Sequence, residues 1–459
     1  MRLQASAIAL ATAISFSQPA YAQDEAEMRE AIAQMRAQMA EMAARIDSLE
    51  SDLAEAEAQA QAANTAAAAA SEAAAAANET AAAAKSSAPK VSWKGAPKFE
   101  GEGGWSFKPR GRLQYDAGTT SAPSSTGRSD GFGNEVRRAR LGVEGDIPGG
   151  FGYKFELDFA GNSTEITDAI LTYKDGPVKV AVGQHNNFQG LEELTSSRFI
   201  SFMERAAFTD AFDFERRVGA SLQYHKGDVL VQGGLFTDNI DDLSNKNWSA
   251  DGRVVFMPKM GGTQLHMGGS IHYTDYEAGT SLRYRQRPFV HFTGERFINT
   301  GHFAADSELG LGVEAAAISG PFHAAAEGYW QKASRPAGLS DPTFFGGYAE
   351  VGYFLTGGDK RGYKGGTFDR VKPANPVGKG GMGAVQVNLR YDYLDLNDAD
   401  IIGGKQNGYG VSLIWTPTAY TRFMMNYGKM SYDDAVYPTG SGDTSYSVDS
   451  FGVRAQVDF

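Results

Sequence analysis

Arg283, Arg285 and Arg287 alternate with other residues in Ser281-Leu282-Arg283-Tyr284-Arg285-Gln286-Arg287-Pro288. In an extended chain alternate residues share a face, so the three guanidinium groups point one way. Arginine keeps its charge at any working pH and presents a planar fork of donors suited to phosphate or carboxylate oxygens. Holding three forks side by side costs energy unless water, acidic neighbours or an anionic guest offsets the repulsion. The chemistry on offer is reversible anion binding. Two other readings stand beside it: a rim cluster holding lipopolysaccharide phosphates, or the basic half of a nonselective eyelet. Glu192, Glu193, Glu204 and Asp213 would supply the acidic half.

Other chemistry finds little footing. With no cysteine in the chain, disulfides, thiolate metal sites and cysteine nucleophiles are excluded. Among the seven histidines only His266 and His272 share a strand face; lumen lining is the reading and metal binding its alternative. No Gly-rich phosphate loop opens a helix and no nucleophile elbow occurs. Neither an enzyme nor a cofactor is expected. The net charge of −12 sits mostly in the N-terminal arm: Gln23 to Lys85 carries twelve acids and four bases, and everything after Lys85 sums to −5. Nucleic acid is not an expected partner of either part.

The element that must position the arginines is a strand wall. In Phe151-Gly152-Tyr153-Lys154-Phe155-Glu156-Leu157-Asp158-Phe159 every odd position is large and apolar and every even one is polar or glycine. The pattern recurs at Val178–Gly183, Val385–Tyr393 and Phe451–Phe459. Repeated segments of about ten residues, apolar on one face and polar on the other, mark an outer-membrane barrel with a watery lumen. The expected fold is all-β: an antiparallel transmembrane barrel of about sixteen strands over 105–459, wide enough for an aqueous channel. Tight links at Lys174–Pro177, Lys226–Asp228, Met260–Gly262 and Ser319–Pro321 read as periplasmic turns. Gln184–Glu215, Thr237–Ser249, Asp275–Ser307 and Thr356–Gly383 read as the longer loops between them.

Upstream, Met1–Ala22 reads as a secretory signal ending in Ala20-Tyr21-Ala22, so the mature protein is expected to be exported, and with the barrel the expected location is the outer membrane of a Gram-negative bacterium. Residues 23–85 read as a helical stalk in the periplasm. Met28, Ile32, Met35, Met39, Met42, Ile46, Leu49 and Leu53 keep alternating four- and three-residue spacing, a heptad seam continued by alanines to Ala84. At roughly 1.5 Å per residue the rod would run about 88 Å. Either it joins copies of the chain, or it is a spacer touching peptidoglycan. Residues 86–104, with Pro89, Pro97 and several glycines, read as a linker.

Several stretches in order resemble the phosphate-selective porin O and P family: Val136-Arg137-Arg138-Ala139-Arg140-Leu141-Gly142-Val143-Glu144-Gly145; Gly183-Gln184 followed by Leu191–Ser197 and Phe202-Met203-Glu204-Arg205-Ala206; Arg283 to Pro288; Tyr353–Gly357; and Leu389-Arg390-Tyr391 through Asp398. The resemblance covers most of the barrel. It implies a homotrimer of sixteen-stranded barrels in outer-membrane lipid and lipopolysaccharide, with the third loop folded into each lumen. It also implies an arginine ladder leading phosphate or pyrophosphate to a constriction. By motif, Arg283, Arg285 and Arg287 correspond to the ladder, Arg137 and Arg138 to lumen arginines, and Arg205 to a basic residue of the constriction loop. Lysine is common after the family's Gly-Gln; here His185 stands there, followed by two asparagines. Lys360, Lys364, Lys372 and Lys379 lie in a stretch that could hold the family's periplasmic lysine cluster, with no motif to fix them.

Strand geometry qualifies one assignment. Arg138 and Arg140 share a face and Arg137 takes the other unless the strand bulges there. With Leu141 and Val143 facing lipid, Arg138 and Arg140 are expected in the lumen and Arg137 at the rim. Three functions follow from the sequence: a passive channel preferring small anions such as phosphate or polyphosphate, a general or other-solute diffusion porin, and a tether whose stalk links barrel to cell wall.

Overall fold

The computed structural model describes residues 24–87, 89–128, 131–244 and 246–459; the secretory signal expected at Met1–Ala22 lies outside them. The chain divides into two units, the second being Pro89–Phe459.

In the first unit, α1 spans Asp24–Ser87, 64 residues without Gly or Pro. Its alanine-rich sequence has high intrinsic helix propensity, so nothing internal stops it. The seam residues Met28 to Leu53 are 40% to 60% exposed. Among the described residues no helix is long and apolar enough to cross a membrane.

The second unit is a closed antiparallel barrel. In chain order its strands are β1 (Ser106–Ser121), β2 (Gly131–Ile147), β3 (Phe151–Asp158), β4 (Glu165–Asp175), β5 (Val178–Asn186), β6 (Arg216–Lys226), β7 (Val229–Phe236) and β8 (Trp248–Phe256). Then follow β9 (Thr263–Asp275), β10 (Ser307–Ser319), β11 (Phe322–Ser334), β12 (Thr343–Phe354), β13 (Ala384–Asp398), β14 (Ile401–Thr418), β15 (Thr421–Asp433) and β16 (Tyr446–Asp458). Each pairs with its chain neighbour, and β16 closes on β1 through Asp458↔Arg112 to Asp449↔Ser121. Closure removes the unpaired edge that a membrane would not tolerate. The predicted alternation holds through the last residue: Phe451, Val453, Ala455 and Val457 are exposed, while Gly452, Arg454, Gln456 and Asp458 are buried.

Two stretches differ from the sequence reading. Lys90–Lys94 pairs with Ala96–Glu100, and Phe99↔Phe107 and Glu100↔Ser106 join this hairpin to β1. The expected linker therefore carries a hairpin of the barrel sheet. Its turn packs Gly95 (φ 81) against the Tyr420 ring, where any side chain would clash. The second difference is at 355–383. Strand parity puts this segment, between β12 and β13, at the same end of the barrel as the turns at 176–177, 227–228 and 320–321. Length misled: the segment is as long and polar as a far-side loop. The tight link at the opposite end, between Asp398 and Ile401, is held by Ala399 at φ 54. We call the two ends the turn end and the loop end.

Candidate functional site

Three segments narrow the lumen. The first, 187–215, carries two short helices, α2 (Leu191–Leu194) and α3 (Ala207–Ala211). Its backbone leaves the β5–β6 wall and is pinned across the lumen to the β11–β16 wall. Glu327 accepts the N–H groups of Leu191 and Glu192 at 2.8 and 2.7 Å, and the Tyr348 hydroxyl at 2.9 Å. Asp392 accepts Ala207 N–H at 3.0 Å. Arg422 donates to the carbonyls of Arg198 and Ile200 at 3.0 and 2.6 Å, and Arg454 to that of Met203 at 2.5 Å. A buried carboxylate or guanidinium is costly unless hydrogen-bonded; here the loop backbone supplies those bonds. Phe208 of α3 then stacks on Tyr329 at 5.9 Å.

The second segment, 276–306, carries the arginine row. Its chain alternates as expected: Tyr284, Gln286 and Pro288 are buried while Arg283, Arg285 and Arg287 face away from them. Tyr284 fixes that orientation by donating to Glu308 of β10 at 2.8 Å and packing edge-on against Phe212 at 5.4 Å. Phe289, at φ 57, lies so close to β14 and β15 that only glycine fits at Gly408 and Gly428.

The third segment is the turn-end stretch 355–383. Arg253 donates to Gly366 O at 2.9 Å, Phe368 N–H reaches the Thr195 hydroxyl at 3.3 Å, and Arg370 pairs with Asp458. Its tip thus meets α2 inside the lumen.

Among the described residues two cavities flank these segments, walled mainly by β1–β7. The loop-end cavity has about 400 Å³ and is lined by six arginines and seven carboxylates. The turn-end cavity has about 340 Å³ and is lined by ten arginines and lysines against three carboxylates. Arg138, Arg140, Glu193, Arg205 and Arg216 line both, which makes them the neck. The neck arginines differ in their partners. Arg140 bonds Asp158 at 2.7 Å and Arg216 bonds Asp168 at 3.1 Å. Arg205 donates to the carbonyls of Glu192, Glu193 and Thr195, each at 3.0 Å. Among the described residues Arg138 meets only the Gln114 amide oxygen, at 3.0 Å. Burial pushes the Glu193 carboxyl above its ordinary range, although Arg205, Arg216 and Arg138 oppose the shift.

Arg137 corrects an expectation. It is the extra residue where the β1–β2 register shifts between Gln114 and Tyr115. The bulge turns it inward to a two-point bond with Glu204, both contacts at 3.0 Å, and it lines the loop-end cavity rather than the rim. Burial alone would raise the Glu204 carboxyl, but Arg137 and Arg454 hold it well below the usual range.

The other expected residues separate. Arg287 lines the loop-end cavity; Arg283 and Arg285 line neither cavity. Arg283 bonds Asn299 at 3.0 Å. His185 lies on the β5 wall of the turn-end cavity, bonded to Ser221 at 3.1 Å, and does not line the neck. Glu192 is buried against Arg390 and lines neither cavity. His266 and His272 do not share partners: one bonds Tyr363 at 2.6 Å, the other Asp251 at 2.9 Å. Sequence reading missed Arg110, Arg112, Lys154, Lys179, Arg198, Arg216 and Arg253 of the turn-end cavity. Apart from Arg198, which sits within the 187–215 segment, their signal was present, each a basic residue on or beside an alternating segment, but scattered over strands far apart in sequence.

The family model described as "Phosphate-selective porin O and P" matches residues 107–459. An uncharacterized protein of Caulobacter vibrioides is 50% identical over 391 residues, covering 82% of this chain and 78% of that one. Porin O of Pseudomonas aeruginosa is 27% identical over 409 residues, covering 77% and 89%. The outer-membrane protein OmpT of Vibrio cholerae superposes with a TM-score of 0.50 at 12% identity, over 78% of this chain and 98% of that structure, a likeness of fold.

Proposed function

The chain belongs to the phosphate-selective porin O and P family and is an outer-membrane channel for passive diffusion; on that premise we propose that it passes small anions and favours phosphate-like oxyanions. The observation that carries this reading is the turn-end cavity, with ten basic side chains against three lining carboxylates; Glu144, Asp158, Glu314 and Asp458 pair with four of the ten from behind the wall, and a basic excess still remains. A wet cavity walled by low-dielectric material focuses such an excess onto the solute. Guanidinium forks replace part of an oxyanion's hydration shell, and a series of weak sites lets the solute leave again. Solute reaches the cavity past Arg287 and through the neck, while Arg283 and Arg285 act from the vestibule above as a longer-range attraction.

Orientation follows the barrel rule of short periplasmic turns, so the basic cavity lies on the periplasmic side. Lys360, Lys364, Lys372 and Lys379, all exposed on the 355–383 segment, then stand at the periplasmic mouth. Three copies of the chain associate, and the heptad seam of α1 provides apolar surface for that association; contact of the stalk with peptidoglycan remains its other use.

A second reading, general diffusion, is favoured by the near balance of arginines and carboxylates around the loop-end cavity. Reversal potential in a planar bilayer under a potassium chloride gradient decides between them. Anion preference with phosphate block of the chloride current is expected; cation preference, or no block, rejects the phosphate reading.

A further inference from the structure

The hairpin Lys90–Lys94/Ala96–Glu100 has two unlike faces. Directly paired residues of an antiparallel ladder project to the same side, so Val91, Phe99 and Phe107, linked by Val91↔Phe99 and Phe99↔Phe107, form one cross-strand row. Trp93 joins that side through Trp93↔Pro97. The side is the lipid-facing one, because Phe107 has the parity of Leu113 and Tyr115, which point out of the barrel. Trp105 has that parity too, and the Phe459 ring lies over Gly111 on the same surface. Val91 is 58% exposed, Trp93 72% and Trp105 53%. The opposite side carries Lys90, Ser92, Lys94 and Lys98, with Lys98 bonded to Glu100 at 2.7 Å.

Because the hairpin pairs with the first residues of β1, on the edge where β16 pairs further along from Arg112 onward, it prolongs the wall past the end of β16. It does so with an aromatic outer face and a lysine-bearing inner face. We propose that the outer face of this hairpin is a phospholipid-docking surface: Trp93, Phe99 and Val91, continuous with Phe107 and Phe459, seat in the headgroup layer of the turn-end leaflet. Two observations select lipid over other occupants. The face continues the barrel's lipid-facing surface without a polar break, and its residues are those enriched where a barrel crosses the headgroup boundary. Gly95 against Tyr420 and the two pairs with β1 hold the hairpin in that plane, so the face meets lipid preformed.

The absence of cysteine makes the test direct. Val91→Cys and Ser92→Cys, each the single thiol of the full-length protein, are spin-labelled and reconstituted in phosphatidylethanolamine/phosphatidylglycerol vesicles. Apolar oxygen and a water-soluble nickel chelate then serve as collision reagents. At residue 91 oxygen collisions are expected several-fold above those of nickel, with the order reversed at residue 92. Nickel collisions equally frequent at both positions would put the hairpin in water and overturn the proposal. Exclusion of both reagents at residue 91 would show a protein partner, such as a second copy, and overturn it equally. A chloride conductance unchanged from the parent chain in either labelled variant confirms that the barrel is assembled, and keeps the outcome separate from that of the anion reading.

Discussion

Arg138 donates to the neutral amide oxygen of Gln114 at 3.0 Å, and among the described residues no carboxylate lies within ion-pair distance of it. Its neck neighbours Arg140 and Arg216 spend their charge on Asp158 and Asp168. Arg138 therefore presents the least compensated charge of the neck. Arg138→Gln is expected to lower anion occupancy of the neck roughly fivefold, the equivalent of about 1 kcal/mol for two unit charges about 4 Å apart in a water-like medium. Reversal potential and phosphate half-block concentration, measured on the same channels, check this.

The arginine row splits by depth. Arg287→Ala, at the loop-end cavity, is expected to reduce anion preference at every ionic strength. Arg283→Ala with Arg285→Ala acts only through space, so its effect at 0.1 M salt, where the Debye length is about 10 Å, should vanish near 1 M, where it is about 3 Å. A loss of selectivity that survives 1 M salt would place Arg283 or Arg285 in the permeation path.

Glu215, where the 187–215 segment meets β6, is raised to about 7 by burial, with the Asp213, Asp238 and Asp242 carboxylates adding to the shift and Arg217 opposing it. A raised carboxyl is neutral below its pKa and charged above it. At pH 6 the loop-end cavity thus carries one negative charge fewer than at pH 8, and anion preference is expected to rise as pH falls through about 7. Glu215→Gln should flatten that profile at its low-pH level.

Glu327 holds the 187–215 segment on the far wall through two backbone N–H groups. Glu327→Ala leaves both buried without their acceptor, at a cost of about 1–3 kcal/mol each. Single-channel conductance should rise and become noisier as the segment loosens, with a lower thermal unfolding temperature. Tyr284→Phe, which loses the bond to Glu308 and the weaker one accepted from Gln331, should leave conductance nearly unchanged and shift selectivity through the arginine row.

Deleting Asp24–Ala84 is expected to weaken association of the copies while each barrel still conducts, as read by native electrophoresis beside bilayer recording. The seam has large apolar residues only from Met28 to Leu53, so removing that half alone should account for most of the loss.

Period carried far along this chain. A two-residue period over segment after segment specifies a barrel, because any other arrangement would strand one face in the wrong solvent, and a heptad specifies a long helix. Arg138 and Arg140 were placed by parity alone. Parity failed at Arg137, where a single inserted residue re-aims the side chain and leaves no mark in the composition. Length failed at 355–383, which looks like an outer loop but belongs to the turn end. The neck itself was illegible. Arg138 comes from β2, Arg205 from the 187–215 segment and Arg216 from the start of β6, and they meet only once Glu327, Asp392 and Arg454 have drawn that segment across the lumen.

The unequal charge of the two cavities has an electrical consequence. A neutralised chamber in series with a more positive one is the arrangement of a diode. Mobile anions accumulate beside the neck under one polarity and are swept out under the other. Current–voltage curves in dilute salt should therefore bend in one direction for every channel inserted the same way, and straighten as added salt screens the fixed charge. Such a pore conducts more readily in one sense of the applied voltage than in the other, with no moving part.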